Sequence, residues 1–202
     1  RRVELDTQHN ADLYADVTKL TPGEVLRLCG GTPDFIWASP PCTAFSVASI
    51  GKYWAQGGDD PRPKHPKAVE AEATVRATLA LIKALSPRWW LMENPRGMLR
   101  TLKLVRPYRR WTVTYCQYGE DRMKPTDLWG VMPVAWEPRP PCKKGDTCHV
   151  SAPRGSRTGT QGIVGAVDRA RVPLQLSEEL ADVMEHVIEH GDARPFLTLE
   201  IQ

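Results

Sequence analysis

The sequence predicts an α/β fold, with a mostly parallel sheet that ends in an antiparallel hairpin. Two short apolar runs, residues 34–38 and 89–93, have the length and composition of buried strands, and a helix pattern lies between them. Residues 111–115 and 126–131 form a second pair of strand-like segments, close enough along the chain to make a hairpin. Strands that alternate with a helix in this way are typical of the α/β class.

The helix pattern between the first two strands spans Lys67 to Leu85. Apolar side chains repeat along it at spacings of four, three and three residues, at Val75, Leu79, Ile82 and Leu85. One face of this helix is therefore expected to pack on the sheet.

A second helix is predicted from Leu176 to His190, with Ser177 as its N-terminal cap and Gly191 at its end. Its apolar stripe contains Leu180, Val183, Met184, Val187 and Ile188, which we expect to be buried.

The composition is that of an ordinary soluble globular protein. The chain has 202 residues, of which 41% are hydrophobic and 25% charged, enough for one domain with a hydrophobic core. Its net charge is only +3, so a nucleic-acid partner has to be argued from local basic clusters.

Apolar stretches, the N-terminal residues and the cysteines together predict the cellular compartment. No stretch approaches the about 20 apolar residues of a membrane span, and no signal peptide is visible. Five cysteines, an odd number at scattered spacing, argue for a reducing cytosol and against a disulfide framework. We therefore expect a cytoplasmic monomer with no membrane partner.

The first apolar strand ends in a stiff corner, Ser39-Pro40-Pro41-Cys42. The two prolines end the strand, because proline fixes φ and donates no ladder hydrogen bond. The Cys42 thiol then lies at the carboxyl end of a strand, the edge at which open α/β sheets bind ligands. A free cysteine is more often a small buried hydrophobe, but the corner and the polar residues after it favour a reactive thiol.

Two further polar stretches follow strand-like segments. The second apolar strand ends in Glu93-Asn94-Pro95, again a chemically reactive side chain just before a proline. The connection between the two hairpin strands carries Tyr118-Gly119 and then Arg122 and Lys124, which we expect near the same edge of the sheet.

Together these stretches resemble the cytosine-C5 DNA methyltransferase family, over about residues 2 to 190. The Pro-Pro-Cys corner is similar to the family's nucleophile motif, and Glu93-Asn94 to its Glu-Asn motif, with Pro95 where valine is usual. Tyr118-Gly119 and the basic residues after it are similar to its later Gln-x-Arg-x-Arg region. The resemblance implies a Rossmann-like methyltransferase fold and a DNA substrate. Small enzymes of this kind are typical of phages and prophages, which implies a bacterial or phage-infected host cell and a restriction-modification setting.

The resemblance also implies catalytic roles. Cys42 would attack C6 of the cytosine, and Glu93 would protonate or hydrogen-bond N3. Asn94 would hold the corner or the base, and Arg122 and Lys124 would stabilise the ring carbonyl or a nearby phosphate. These groups cannot reach C6 inside a duplex, so the base would have to be flipped out.

The cofactor implied is S-adenosylmethionine. Glu4 would bind its ribose, Leu5 would lie against its adenine, Asp16 would accept from the adenine amino group, and Pro40 would line its site. Without a cofactor role, Glu4 would be a solvated residue at a strand end and Asp16 an ordinary turn residue. The family's first strand and glycine-rich turn do not precede Glu4 in this chain, so we expect weak cofactor binding and poor stability.

The DNA contacts are predicted on loops. Residues 46–66 are rich in Gly and Pro and would be the loop that closes over DNA, or else a surface insertion. Residues 96–110 contain six basic residues and no acid, which could follow phosphates or form a solvated face. The DNA-binding candidates are Pro41, Ser46, Lys52, Arg96, Arg154 and Arg157.

The domain organisation predicted is a catalytic core over residues 1–131, a short loop-rich target-contact region over 132–175, and a C-terminal helix over 176–202 that packs back on the core. Cys142, Cys148 and His149 are a weak zinc candidate, because a fourth ligand is not obvious, and we expect no bound metal.

Three other interpretations stay open. The same chemistry could act on RNA, or the chain could be a DNA-binding remnant without activity. The third is an amino-methyltransferase, which would need an aromatic residue where Cys42 stands.

Overall fold

The structure is a computed structural model that describes residues 2–4, 10–55, 57, 59–143, 145–150, 168 and 170–192. Its strands are β1 (Val3–Glu4), β2 (Leu13–Tyr14), β3 (Phe35–Ala38), β4 (Trp54–Ala55), β5 (Arg62–Pro63), β6 (Trp89–Pro95), β7 (Arg109–Thr114) and β8 (Pro125–Val131). Its helices are α1 (Pro22–Cys29), α2 (Ile50–Tyr53), α3 (Pro66–Leu85) and α4 (Leu174–His190).

The chain divides into two compact units. The N-terminal unit comprises Arg1–Arg110 with Asp127–Val131, and the C-terminal unit comprises Trp111–Thr126 with Met132–Gln202. The boundaries of the three regions predicted from the sequence, and the packing of the last helix on the core, stay predictions.

The main sheet has the strand order β3-β6-β8-β7, and β3 pairs with β6 in parallel. A smaller sheet pairs β1 with β2 in parallel, and another pairs β4 with β5 antiparallel. This mixed sheet with helices confirms the predicted Rossmann-like α/β class.

Strand β6 is the centre of the sheet, between β3 and β8, and its residues from Trp89 to Asn94 are buried. Gly130 of β8 lets the two backbones approach, because a Cβ there would lie 1.9 Å from the carbonyl oxygen of Trp90. Its φ of 157° is also one that residues with a side chain rarely adopt.

Helix α3 confirms the prediction from periodicity. Pro66 begins it, the His65 side chain accepts from the Lys67 N–H, and Ser86 ends it in the left-handed region with φ of 49°. The predicted stripe of Val75, Leu79, Ile82 and Leu85 is buried. With Trp90, Met92 and Trp129, most of that stripe forms the main hydrophobic core of the N-terminal unit.

Three local predictions were wrong. Residues 35–38 are only half-buried, because β3 has one partner, β6, among the described residues. The segment 46–66 is not a loop throughout, since it contains α2, β4 and β5.

The third concerns α4, which begins at Leu174, so that Pro173 and not Ser177 precedes its first turn. The Ser177 hydroxyl instead donates back to the Pro173 carbonyl at 3.3 Å. The buried stripe is narrower than predicted, because Val183 is only half-buried and Ile188 is exposed. Gly191 ends the helix as predicted.

In the C-terminal unit, Arg139 ties three segments together. Its guanidinium donates to the Glu179 carboxylate of α4 at 3.0 Å and to the Gln117 carbonyl at 2.7 Å. Its backbone N–H donates to the Tyr118 hydroxyl at 2.9 Å.

In the part of the chain that the structure describes, no helix is long and apolar enough to cross a membrane.

Candidate active site

Strand register brings the first two predicted motifs to one edge of the sheet. Ala38 is the register partner of Met92 in the parallel pair β3–β6. Ser39, the first residue of the corner, directly follows Ala38, and Glu93 directly follows Met92. The corner and Glu93 therefore start at the same level of the sheet. Parallel strands present their carboxyl ends at a common edge, which is where ligands bind in α/β sheets.

Cys42 is half-buried at the end of the corner. Its backbone is in the right-handed helical region, with φ of −96° and ψ of −12°. Its carbonyl accepts from the Phe45 N–H at 3.0 Å, which starts a short 3₁₀ helix over Thr43–Phe45. The thiol is thus held on an ordered turn that solvent can reach.

Asn94 fastens the two strand ends together. Its Nδ2 donates to the Pro40 carbonyl at 2.9 Å, and both residues are buried. Its Oδ1 is buried and accepts no hydrogen bond from the described residues. The sequence left two roles open for Asn94, to hold the corner or to hold the base. In the structure its amide nitrogen holds the corner.

Two further contacts brace the corner. A Cβ at Gly97 would lie 2.3 Å from the Phe45 carbonyl oxygen, so only glycine lets the turn after β6 approach so closely. The Trp54 indole N–H donates to the Ala44 carbonyl at 2.8 Å, and its ring stacks on Phe45. The residues after Cys42 are therefore packed against fixed neighbours.

Glu93 is the buried carboxyl of this edge, with 5% of its surface exposed. It follows Met92 and precedes Asn94, both of which have none of their surface exposed. Removal of a carboxyl from water favours its neutral, proton-carrying form.

The predicted Arg122 and Lys124 lie in the C-terminal unit. Lys124 is 3% exposed and its Nζ lies 4.4 Å from the centre of the Tyr115 ring. Arg122 is half-buried and its Nη1 donates to the Val150 carbonyl at 2.9 Å. Cys42 belongs to the N-terminal unit.

Two of the predicted cofactor residues belong to the small parallel sheet or its end: Glu4 is the last residue of β1, and Asp16 comes two residues after β2, while Pro40 lies in the corner after β3. The Glu4 carboxylate accepts from the Arg2 guanidinium at 2.9 Å, and its backbone carbonyl accepts from the Ala15 N–H at 2.8 Å. Asp16 accepts at Oδ1 from the hydroxyl and the backbone N–H of Thr18, and these two bonds hold the pKa of that carboxyl below its ordinary value. Leu5 lies outside the described residues.

The predicted DNA contacts are at the surface where they are described. Pro41, Ser46, Lys52 and Arg96 are all exposed. The remaining two candidates, Arg154 and Arg157, lie outside the described residues.

The basic run after β6 is not a free phosphate-binding face throughout. Arg100 makes a bidentate pair with Asp127, at 2.9 Å from Nε and 2.6 Å from Nη2, and Asp127 has none of its side chain exposed. The Arg106 guanidinium donates to the Asp59 and Thr101 carbonyls. Asp127 and Arg100 are structural partners that the sequence did not reveal, because they are 27 positions apart.

Comparison with known proteins gives one curated relative and several solved structures, while no family model matches the chain. The relative, a probable DNA (cytosine-5)-methyltransferase of Frog virus 3 (isolate Goorha), is 27% identical over 192 residues. The match covers 88% of this chain and 85% of the relative.

Two similar solved structures are the Dnmt2 methyltransferase of S. pombe, with 13% identity and a TM-score of 0.39, and the methyltransferase EhMeth of Entamoeba histolytica, with 10% and 0.45. They cover 63% and 71% of this chain, and this chain covers only 39% and 48% of theirs.

The curated relative and the motifs of the sequence agree. The resemblance to the cytosine-C5 methyltransferase family is thus confirmed, over 88% of the chain.

Proposed function

We propose that the protein is a DNA cytosine-C5 methyltransferase that uses S-adenosylmethionine and forms a transient covalent bond between Cys42 and a flipped-out cytosine. The proposal rests on the reactive groups that meet at the carboxyl ends of the parallel strands β3 and β6. There a half-buried thiol follows β3, a buried carboxyl lies near the carboxyl end of β6, and the Asn94 amide donates to the Pro40 carbonyl at 2.9 Å. The curated relative, described as a probable DNA (cytosine-5)-methyltransferase, supports the same reaction.

Each residue of this edge has a step in the reaction. Cytosine C5 is a poor nucleophile, so the Cys42 thiolate first donates an electron pair to C6. The displaced ring electrons reach N3, which takes a proton from the Glu93 carboxyl. C5 is then an enamine carbon that can accept a methyl group. Loss of the C5 proton to water re-forms the double bond to C6 as Cys42 leaves as a thiolate, and N3 returns its proton to the Glu93 carboxylate.

The cofactor would supply the electrophilic methyl group. Glu4 is the last residue of β1, and Asp16 comes two residues after the paired strand β2. Carboxylate oxygens accept hydrogen bonds, which fits the hydroxyl and amino groups of a nucleoside. These two residues would hold the nucleoside end of the cofactor.

DNA would approach the loops that carry the two reactive groups. Lys52 lies in α2, soon after Cys42, and Arg96 comes three residues after Glu93; both are exposed. Phosphate contacts by such residues make binding depend on salt. The base has to leave the stack for Cys42 to reach C6.

The test measures the first chemical step without methyl transfer. Addition of Cys42 to C6 makes C5 exchange its hydrogen with water, so DNA with tritium at C5 of cytosine should release it when the protein is added. The Cys42→Ala variant should release none, while Cys29→Ser, at an exposed cysteine of α1, should act as wild type does. Release by Cys42→Ala equal to that by wild type would overturn the assignment.

A second arm identifies the substrate. The same label in single-stranded RNA should give much less release than in DNA. Release from RNA alone would keep the cysteine chemistry and overturn the DNA substrate. Binding of DNA with no release from either polymer, in folded wild-type protein, would contradict the enzyme and favour an inactive remnant.

A further inference from the structure

Four potential metal ligands meet in the C-terminal unit. Three thiols, of Cys116, Cys142 and Cys148, and the imidazole of His149 have their ligand atoms within 4.8 Å of one another. All three cysteines are free thiols. The sequence drew attention to the last three residues but did not connect them with Cys116, which lies 26 positions before Cys142.

The distances match the edges of a tetrahedral zinc site. Ligands at about 2.3 Å for sulfur and about 2.0 Å for nitrogen put two sulfurs about 3.8 Å apart and a sulfur and a nitrogen about 3.5 Å apart. The Sγ atoms of Cys148 and Cys116 are 3.7 Å apart. The Nδ1 atom of His149 lies 3.7 Å from Cys142 Sγ and 3.6 Å from Cys148 Sγ.

One edge is shorter than the ideal. The Sγ atoms of Cys116 and Cys142 are 3.1 Å apart, so a bound ion would need them to separate by about 0.7 Å. A change of that size is within reach of side-chain rotation, since Cys142 lies in a segment that is neither helix nor strand.

The backbone holds the four ligands in place. Cys116 lies in the 3₁₀ helix Tyr115–Tyr118 that follows β7, and the Cys142 N–H donates to Thr114 Oγ1 at the end of that strand, at 2.9 Å. The chain then turns, because the Lys143 N–H donates to the Asp146 carboxylate at 2.6 Å.

Gly145, with φ of 97°, supplies the left-handed residue of this turn. The turn brings Cys148 and His149 back onto the first two ligands.

The chemistry of the ligand set favours Zn²⁺ over the harder cations. Three thiolates and one imidazole are soft and borderline ligands, and none of the four is a carboxylate. A bound dication would replace the thiol protons of the three cysteines, because thiolates are the form that binds the metal.

We infer that Cys116, Cys142, Cys148 and Nδ1 of His149 bind one Zn²⁺ ion, and that this ion fixes residues 142–150 on the connection between β7 and β8. Four protein ligands leave no open position, so the site is structural rather than catalytic. Next to it, the Val150 N–H donates to the Asp121 carbonyl at 2.8 Å and Arg122 donates to the Val150 carbonyl at 2.9 Å. The ion thereby positions Arg122 through the neighbouring segment.

The experiment is elemental analysis of protein without an affinity tag, purified without chelator. Wild type should contain about one zinc per chain, the stoichiometry of a four-ligand site. Cys148→Ser and His149→Ala should lose most of it, and Cys29→Ser, at an exposed cysteine outside the cluster, should retain it. Circular dichroism verifies that each variant is folded; Cys148 is exposed, so its replacement disturbs little packing.

A cobalt titration tests the site in the wild-type chain alone. Metal-free protein should take up about one Co²⁺ with the visible bands of tetrahedral thiolate coordination, and Zn²⁺ should bleach them because it binds such ligands more tightly. Folded wild type that carries no zinc and gives no cobalt bands overturns the site, as does equal zinc in Cys148→Ser and Cys29→Ser. Neither measurement needs DNA or cofactor, so its failure is distinct from failure of the proposed function.

Discussion

At the scale of single residues, Glu93 is the side chain on which the proposed proton transfer depends. It is 5% exposed and sits beside Asn94, whose amide holds the corner. We expect Glu93→Gln to lower single-turnover methylation by about 10²–10⁴-fold, the usual contribution of a general acid, because an amide has no proton to transfer.

The control for this variant is Glu70→Gln, at an exposed position of α3. DNA affinity, measured by fluorescence anisotropy, should change little in either variant. A Glu93→Gln enzyme that turns over within about threefold of wild type would contradict the role.

The Arg100–Asp127 pair gives a second residue-scale prediction, for stability. Arg100→Met removes the bidentate partner of a carboxylate that has none of its side chain exposed. Loss of one partner of such a pair costs about 3–5 kcal/mol, and we expect the lower end because Arg100 is itself 23% exposed. Urea unfolding measures the difference.

Two comparisons make this prediction specific. Arg76→Met breaks a surface pair with Glu72 on α3, and should cost no more than about 1 kcal/mol. The double variant Arg100→Met with Asp127→Asn should be more stable than Arg100→Met alone, because it removes the buried negative charge that has lost its guanidinium partner. Equal stability of the single and double variants would refute a charge effect.

At the scale of elements, α1 has a capping box that titrates. The Thr21 backbone N–H and hydroxyl donate to the Glu24 carboxylate at 2.8 Å and 2.6 Å, and Thr21 Oγ1 accepts from the Glu24 N–H. The hydroxyl first, and then the N–H, lower the pKa of Glu24 from its ordinary value of 4.5. Because the folded-state pKa is the lower one, this stabilisation is present above pH 4.5 and is lost as the pH falls through the folded value.

The prediction concerns the gap between the urea midpoints of wild type and of Glu24→Gln. Glutamine keeps a hydrogen-bond acceptor but cannot ionise. Wild type should have the higher urea midpoint at neutral pH, and the gap should narrow as the pH falls below 4.5. In a Thr21→Val background the gap should be smaller at every pH. A gap that widens on acidification would contradict the sign.

Among the helices and strands, periodicity predicted α3 correctly but missed the start of α4 and the exposure of β3. Helix α3 was predicted correctly because a stripe of apolar residues at helical spacing is written in neighbouring positions. The start of α4 was placed two residues late, because local composition at Ser177 resembles a cap while the chain already turns helical at Leu174. The half-buried β3 could not be foreseen, because a strand's exposure depends on its sheet neighbours.

At the scale of the whole molecule, the two compact units should respond differently to loss of metal. If zinc fixes residues 142–150, a chelator should increase amide hydrogen exchange there and in Tyr115–Tyr118. Exchange in α3, which lies in the N-terminal unit, should be unchanged. Mass spectrometry of peptic fragments measures both regions in one experiment.

The control is the His149→Ala variant, which lacks a ligand. Its exchange should already be raised without chelator and should not increase when chelator is added. A uniform increase across both units would contradict a local structural role for the ion.

The sequence by itself determined the α/β class, helix α3, and the corner and strand end that carry Cys42 and Glu93. These features depend on side chains a few positions apart, whose periodicity and backbone preferences act locally.

Only the tertiary structure decided the partners: the Asn94 amide on Pro40, 54 positions away, Arg100 on Asp127, 27 away, and Cys116 beside Cys142, 26 away. Such pairs form because strand register and turns bring distant segments together. No pattern of adjacent residues encodes which distant group a buried amide, carboxylate or thiol will meet.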